Sequence, residues 1–149
     1  MAVVVRRATV EDIESLVDVR IAFVSEFSDD ETDRAELVEY LSRALPSESF
    51  LAWLVVDAGR LVATSGMVVY ERMMRSHGAG IGHEGYILNV YTYPSFRRCG
   101  YGRLAMQALL DCARERRIRL TLLATDDGRR LYEQLGFTHD DRTYRWWPK

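Results

Sequence analysis

Two glycines and two arginines stand together in the stretch RRCGYG, at positions 97–102, directly before an amphipathic run that begins RLAMQALL. The start of a helix exposes unpaired backbone N–H groups and carries about half a positive charge, so it attracts phosphate. Gly100 and Gly102 would let an anion approach those amides closely, and we expect neither position to tolerate a side chain. Alternatively, both glycines serve only a turn and the packing of the helix.

Two nucleotide-binding motifs compete for these glycines. A P-loop requires GK[ST], but the only lysine in the chain is Lys149. GYGRLA satisfies the dinucleotide pattern GxGxxA, and Asp126 lies at a suitable distance to hold a ribose. However, PSFRRC separates the preceding strand from the first glycine, and the residues after Arg103 are too few for a complete dinucleotide fold. The sequence therefore disfavours both motifs.

Arg97, Gly100 and Gly102 also satisfy the pattern RxxGxG, and LYEQLGF follows at 131–137. At these two motifs the chain resembles the GNAT superfamily of N-acetyltransferases, which carry an RxxGxG phosphate loop and an LYxxxGF element in the same order. The resemblance implies that the amides from about Arg98 to Arg103 bind the pyrophosphate of acetyl-CoA as cosubstrate. Arginine side chains of the loop would screen the remaining phosphate charge.

The resemblance also implies how the thioester is held. The pantetheine arm would pair with the backbone of Val90 and Thr92 in the cleft between the fourth and fifth strands, with Tyr91 between them. The amide of Val90 would polarise the thioester carbonyl, and Tyr132 would act as general acid toward the leaving thiolate. In full, the residues expected to bind acetyl-CoA are Val90, Tyr91, Thr92, Arg97, Arg98, Cys99, Gly100, Tyr101, Gly102, Arg103, Thr125, Gly128, Arg129 and Tyr132.

The group that takes the proton from the acceptor amine stays open at this point. Glu84, Asn89 holding a water, and Glu71 are the candidates, and a chain of waters is an alternative. With Tyr132 and Val90, Asn89 completes the expected catalytic set.

The chain departs from the family after the fifth strand. Thr125 and Gly128 stand where the family often has asparagine and alanine. The threonine hydroxyl can still hydrogen-bond to pantetheine amides. Arg129 either reaches phosphate or is solvated.

Other reactive side chains point to no separate chemistry. Cys99 lies inside the phosphate loop, but no histidine is near it in sequence to activate a covalent relay. His77 and His83 flank a glycine-rich stretch without the fixed-spacing partners of a metal site, so no metal is expected. The acidic segment at 26–33 either selects a cationic amine or supplies the charges usual at a helix start.

The elements that must position these groups follow from periodicity and breakers. We expect strands at 2–7, 50–57, 61–74, 85–94, 118–125 and 143–147, and helices near 12–27, 32–45, 100–116 and 128–137, with SHGAGIGHEG at 76–85 as a mobile loop. The order β-α-α-β-β-β-α-β-α-β gives an α/β (α+β) class. It predicts a GNAT-like mixed, mostly antiparallel sheet with splayed central strands and helices on both faces.

Length and composition limit the classes of protein to which the chain can belong. The 149 residues suit a single acetyltransferase domain, 1–149, and the formal net charge of −2 gives no basic field for nucleic acid. Apolar runs are too short for a membrane span, the start does not resemble a secretory signal, and two cysteines form no disulfide framework. We expect a cytoplasmic protein.

The sequence thus predicts an N-acetyltransferase that acts by direct attack of a primary amine, of an unidentified small molecule or peptide, in a ternary complex. The alternative is a domain that binds acetyl-CoA as a sensor without turnover. Trp146 and Trp147 either pack the core or form an intersubunit contact, so a homodimer is also considered.

Overall fold

The computed structural model describes residues 2–73 and 82–149. The strands are β1 Val3–Arg7, β2 Phe50–Asp57, β3 Arg60–Arg72, β4 Gly82–Thr92 and β5 Arg119–Leu122. The helices are α1 Ile13–Ser25, α2 Arg34–Ala44, α3 Tyr101–Arg116 and α4 Arg129–Gln134. None of the helices in these ranges has the length and apolar character needed to cross a membrane.

The strands form one sheet in the order β1-β2-β3-β4-β5. The first four pair as antiparallel neighbours, whereas β4 and β5 are parallel. The β4–β5 register runs only from Glu84 opposite Arg119 to Ile87 opposite Leu122. Beyond that point β4 continues to Thr92 without a β5 partner, so the two strands separate at the middle of β4. The predicted fold class and the splayed central strands are confirmed.

Helices cover both faces of this sheet, because the side chains of each strand alternate between them. On one face α1 and α2 pack over a core that includes Leu16, Val17 and Phe50. On the other face α3 and α4 pack over a second core built around Leu51 and Met106.

Side-chain caps mark the starts of the first two helices. Thr9 and Asp12 form a capping box before α1, and the Asp33 carboxylate accepts the Ala35 and Glu36 amides at the start of α2. The sequence predicts that α2 begins at residue 32, two residues before its observed start at Arg34.

The expected fifth strand at 118–125 is shorter in the structure, where β5 spans only Arg119–Leu122, and two further expected elements differ. No strand forms at 143–147, and residues 138–149 have no regular secondary structure. Strand propensity needs a packing partner, and β5, the edge strand, offers only four residues to pair with. Trp146 and Trp147 are 84% and 76% exposed, so they do not pack the core.

The second difference is at the start of β4. Residues 82–85 of the expected loop belong to β4 and pair with β3, while residues 76–81 lie outside the described ranges. Gly85 is suited to its position because an added Cβ would lie 3.0 Å from Leu120 Cδ2 and 3.1 Å from Met67 Sδ. Close packing across the sheet therefore explains the glycine at the position where the expected loop meets the expected strand.

Candidate active site

The stretch at 97–102 forms the connection between β4 and α3. After a 3₁₀ turn at Pro94–Phe96, Arg98 and Gly100 both take left-handed conformations, with φ of 64° and 83°. Gly100 is the N-cap of α3, and no side chain of the described residues caps this end of the helix. The first amides of α3 therefore have no intrahelical partner and can bind an external anion.

The two glycines of this loop have different surroundings, and only Gly100 has open space beside it. No described atom lies within 4 Å of a Cβ built on Gly100, although its positive φ would strain any other residue. A Cβ on Gly102 would make only ordinary contacts, at 3.5 Å from Thr92 Oγ1 and 3.7 Å from Leu131 Cδ2. The packing of the protein itself does not demand a glycine at position 102. The expectation that position 102 tolerates no side chain is therefore not supported by the packing.

The Arg97 side chain does not project from the loop. Its guanidinium donates to the Thr92 carbonyl at 2.9 Å and to the Glu26 carboxylate at 2.7 and 3.0 Å, and it lies 5.5 Å from the centroid of the Tyr91 ring. The expectation that this side chain screens phosphate is therefore not supported, because its charge is already neutralised by Glu26. Arg97 instead connects the end of α1 to the end of β4.

Other side chains of the loop are also occupied. Arg103 donates to Gln134 Oε1 at 2.6 Å, which links α3 to α4. The Tyr101 hydroxyl donates to Asp57, and this hydrogen bond raises the pKa of Tyr101. Arg98 and Cys99 are exposed. The loop therefore offers mainly backbone amides, together with the Arg98 side chain.

A β-bulge interrupts β4 beside this loop. Thr64 pairs with Tyr91 and Gly66 with Leu88, so Asn89 and Val90 together face Ser65 of β3. Asn89 has a φ of 56°, is only 5% exposed, and its carbonyl accepts the Thr64 hydroxyl at 2.7 Å. Bulges often occur next to active sites because they redirect backbone groups.

Successive residues at the bulge also point to opposite faces of the sheet. Val90 packs with the core under α3, whereas Tyr91 is 6% exposed and packs edge-on against Phe23 of α1. Burial is the main cause that raises the pKa of Tyr91. Asn89 Oδ1 accepts a hydrogen bond from Arg20 Nη1 at 3.0 Å, so this side chain is already engaged.

Tyr132 lies on α4, with its ring in the core under α3. Its ring centroid is 5.8 Å from that of Phe137, and burial raises the pKa of the phenol. Among the described residues its hydroxyl has no hydrogen-bond partner. A half-buried phenol whose hydroxyl has no described partner stays protonated at neutral pH and can donate to an arriving group.

Gly128 sets the position of this ring. An added Cβ would lie 2.8 Å from Tyr132 Cε2, too close for a real contact. The alanine that the family often has at this place would therefore displace the tyrosine. Thr125 Oγ1 accepts the Gly128 amide at 3.3 Å and caps the turn before α4. Its hydroxyl proton can still be donated.

The two carboxylates considered as bases lie elsewhere. Glu84 pairs with Arg72 at 2.9 Å, and Glu71 lies 3.9 Å from His83 Nε2. Both stand near the start of β4, and Glu84 is six residues from Val90, or roughly 20 Å along a strand. His77 lies outside the described residues. Arg129 is exposed and lies 3.9 Å from Asp126.

Known proteins resemble this chain both in sequence and in fold. A profile of the acetyltransferase (GNAT) family matches residues 16–137, more than half of the chain. The chain belongs to the GNAT family of acetyltransferases. A comparison with curated proteins found no match.

Solved GNAT structures extend the similarity to nearly the whole chain. A predicted acetyltransferase from Clostridium acetobutylicum, solved with acetyl-CoA, is 26% identical, with a TM-score of 0.87 over 97% of this chain and 96% of that one. A GCN5-related N-acetyltransferase from Ralstonia eutropha is also 26% identical, with a TM-score of 0.80 and 97% of each chain covered. Glucosamine-6-phosphate N-acetyltransferase from Arabidopsis thaliana shares the fold, with 13% identity, a TM-score of 0.76 and 99% of each chain covered.

Family membership makes this protein an acetyltransferase, and GNAT enzymes use acetyl-CoA. The uncapped start of α3, with open space beside Gly100, has the backbone donors that a diphosphate requires.

Sequence reasoning missed the two pairings that involve α1, Arg20 with Asn89 and Glu26 with Arg97. Arg20 follows Leu16 by four residues and so interrupts the apolar stripe of α1 with a charge. That interruption was the available signal. Glu26 was considered only as part of an acidic segment.

Proposed function

We propose that this acetyltransferase moves the acetyl group of acetyl-CoA directly to a primary amine of a small molecule or peptide in a ternary complex. The observation that carries the proposal is the uncapped start of α3 beside the part of β4 that has no β5 partner. A diphosphate at the helix and an extended arm along β4 would use these two features together.

In this proposal the backbone binds the cosubstrate. The amides of residues 98–103 hold the diphosphate, and Val90 and Thr92 pair with the pantetheine arm as a neighbouring strand would. Tyr91 lies between these two residues but directs its ring toward α1, so only its backbone takes part. Arg97 acts indirectly, because its side chain fixes Thr92 and the end of α1.

The chemical step uses Val90 and Tyr132. Acetyl-CoA supplies a thioester, whose acyl carbon forms a bond to the amine nitrogen while the C–S bond breaks. The Val90 amide donates to the carbonyl oxygen, where negative charge develops. Tyr132 donates its phenolic proton to the leaving sulfur and later recovers one from solvent. The acceptor nitrogen loses its proton to water, because Glu71 near the end of β3 and Glu84 near the start of β4 both lie far from Val90. Glu84 is also paired with Arg72.

The test is release of free thiol from acetyl-CoA in the presence of a panel of primary amines. Amine-dependent release, with a matching mass increase of one acetyl group on the amine, is the expected result. Binding of acetyl-CoA without release for any amine would favour the sensor. Tyr132→Phe serves as the matched variant, since it keeps the ring packing against Phe137 and removes only the proton donor.

A further inference from the structure

Arg20 is a charged residue on the face of α1 that packs against the sheet. Its side chain is half-buried, Nη1 donates to Asn89 Oδ1 at 3.0 Å, and the guanidinium carbon lies 5.9 Å from the centroid of the Phe23 ring. Burial lowers the pKa of this guanidinium, which nevertheless stays charged at neutral pH. Arg20 is therefore a cation that has been partly removed from water.

Arg20 has no carboxylate partner in residues 2–73 and 82–149, and the remaining residues, 1 and 74–81, contain neither Asp nor Glu. Burying a charge is costly unless an opposite charge or several hydrogen bonds compensate it. Other partly exposed arginines of this protein are compensated. They include Arg6 with Asp12 at 2.7 Å, Arg72 with Glu84 at 2.9 Å, and Arg97 with Glu26 at 2.7 Å.

Arg20, which lacks a carboxylate partner, lies close to the residue proposed to hold the thioester carbonyl. Asn89 precedes Val90, so the guanidinium lies within roughly 9 Å of the Val90 amide, as bond lengths and one hydrogen bond allow. It approaches β4 from the α1 side, whereas Val90 packs toward α3. An anionic group at Arg20 would therefore lie a few bonds from an amine placed to attack a carbonyl held by Val90.

We propose that Arg20 binds an anionic group of the acceptor, so that the substrates are primary amines carrying a carboxylate or phosphate close to the amine. This inference rests on the proposed function. Merely fixing Asn89 would require one neutral donor, and a neutral donor would avoid the cost of burying a charge.

Paired acceptors test the charge directly. L-amino acids are compared with their carboxamides, and O-phosphoethanolamine with ethanolamine, by thiol release from acetyl-CoA. We expect the anionic member of at least one pair to have a kcat/KM about 10- to 100-fold higher, the value of a hydrogen bond between charged groups. The better pair identifies the anion as carboxylate or phosphate.

Arg20→Gln keeps a donor for Asn89 and removes the charge. We expect it to lower kcat/KM about 10- to 100-fold more for the anionic acceptor than for its neutral analogue. The KM for acetyl-CoA should also stay unchanged. Arg20→Lys, which keeps the charge, should retain part of the preference. Arg43→Gln is the control, because it removes one exposed positive charge from α2.

Equal losses for both members of a pair, or the same loss in Arg43→Gln, would overturn the inference in favour of a positioning role or a general field effect. So would a wild-type enzyme that acetylates neutral primary amines but none of the anionic ones. Binding of acetyl-CoA without acetylation of any amine, or no binding at all, would instead overturn the proposed function.

Discussion

At the scale of single residues, the position of Tyr132 depends on the absence of a methyl group four residues earlier. The ring occupies the space where a side chain at Gly128 would stand, and it lies in an apolar environment that raises the pKa of the phenol. The proposed proton donor is held in place by packing alone, since no described residue binds its hydroxyl. Small changes in this packing should therefore affect catalysis more than folding.

The raised pKa of Tyr132 predicts the alkaline limb of the pH profile. Because burial disfavours the phenolate, the acid form persists across the neutral range and is lost only as the pH rises above about 10, the ordinary value for tyrosine. We expect kcat to show no decline from this group between neutrality and about pH 10. Tyr132→Phe should lower kcat about 100-fold, with little change in acetyl-CoA affinity, and should abolish that limb. An unchanged kcat would mean that another group is the acid.

Gly128→Ala should reduce kcat about 10- to 100-fold through displacement of the Tyr132 hydroxyl. The backbone at position 128 is helical, with φ of −84°, so the backbone allows alanine there. The Tyr132 ring is the main obstacle, and Thr125 Oγ1 would lie 3.3 Å from the added Cβ. Steady-state kinetics and thermal unfolding would be measured together. In the Tyr132→Phe background the same substitution should cost almost nothing further in kcat. An additional loss of similar size would show that Gly128 acts by another route.

At the scale of elements, the site depends on two irregularities rather than on regular helix or strand. The left-handed Arg98 and Gly100 turn the chain so that the first amides of α3 remain uncapped. The bulge at Asn89 and Val90 places one residue toward each face of β4. Both irregularities lie where β4 has separated from β5, because a strand paired on both sides could not receive a further chain.

Gly100→Ala should separate folding from binding. Its positive φ costs about 1 to 2 kcal/mol of stability for any residue with a Cβ. The added methyl would also stand in the space assigned to the diphosphate, so acetyl-CoA affinity should fall about 10- to 100-fold. Gly59→Ala is a matched control, with φ of 75°, equally open surroundings and a place in the distant β2–β3 turn.

The two variants would be compared by chemical denaturation and by titration with acetyl-CoA. Both should lose similar stability, and only the variant at position 100 should lose affinity. Equal affinities would show that the start of α3 does not hold the diphosphate.

At the scale of the whole molecule, one sheet carries a core on each face, and β4 contacts both. Val90 belongs to the core under α3, and Tyr91 packs on α1. A donor held on one side of β4 and an acceptor approaching from the other would meet at the bulge. An intersubunit contact of Trp146 and Trp147, which is the alternative to packing in the core, stays a prediction because both side chains are exposed.

Binding of acetyl-CoA should stabilise the folded state as a whole. At 100 times its dissociation constant, a ligand that binds only the folded protein adds about 2.7 kcal/mol to the free energy of unfolding. We therefore expect acetyl-CoA to raise Tm, as measured by thermal unfolding, and NAD to leave it unchanged. A rise with NAD alone would favour the dinucleotide interpretation of GYGRLA instead.

The sequence determined the parts of the site that are contiguous along the chain. RRCGYG and LYEQLGF are recognised from residues that are close together in the chain. The start of α3 and the place of Tyr132 on a short helix are therefore predictable from the sequence alone. The fold class followed from the order of the elements, since each hydrophobic period reports one local element. The prediction of a final strand at 143–147 was wrong, because strand formation depends on a neighbouring strand as well as on propensity.

Only the tertiary structure decided which side chains are free to act. Arg97 is taken by Glu26, 71 positions away, and Arg20 reaches Asn89 across 69 positions. Local spacing carries no information about such pairs, because packing of α1 against β4 brings them together. The physical reason is that the groups around a charged side chain determine whether it is free to bind a ligand. The fold supplied a partner for the arginine of the motif and left the one on α1 without a carboxylate.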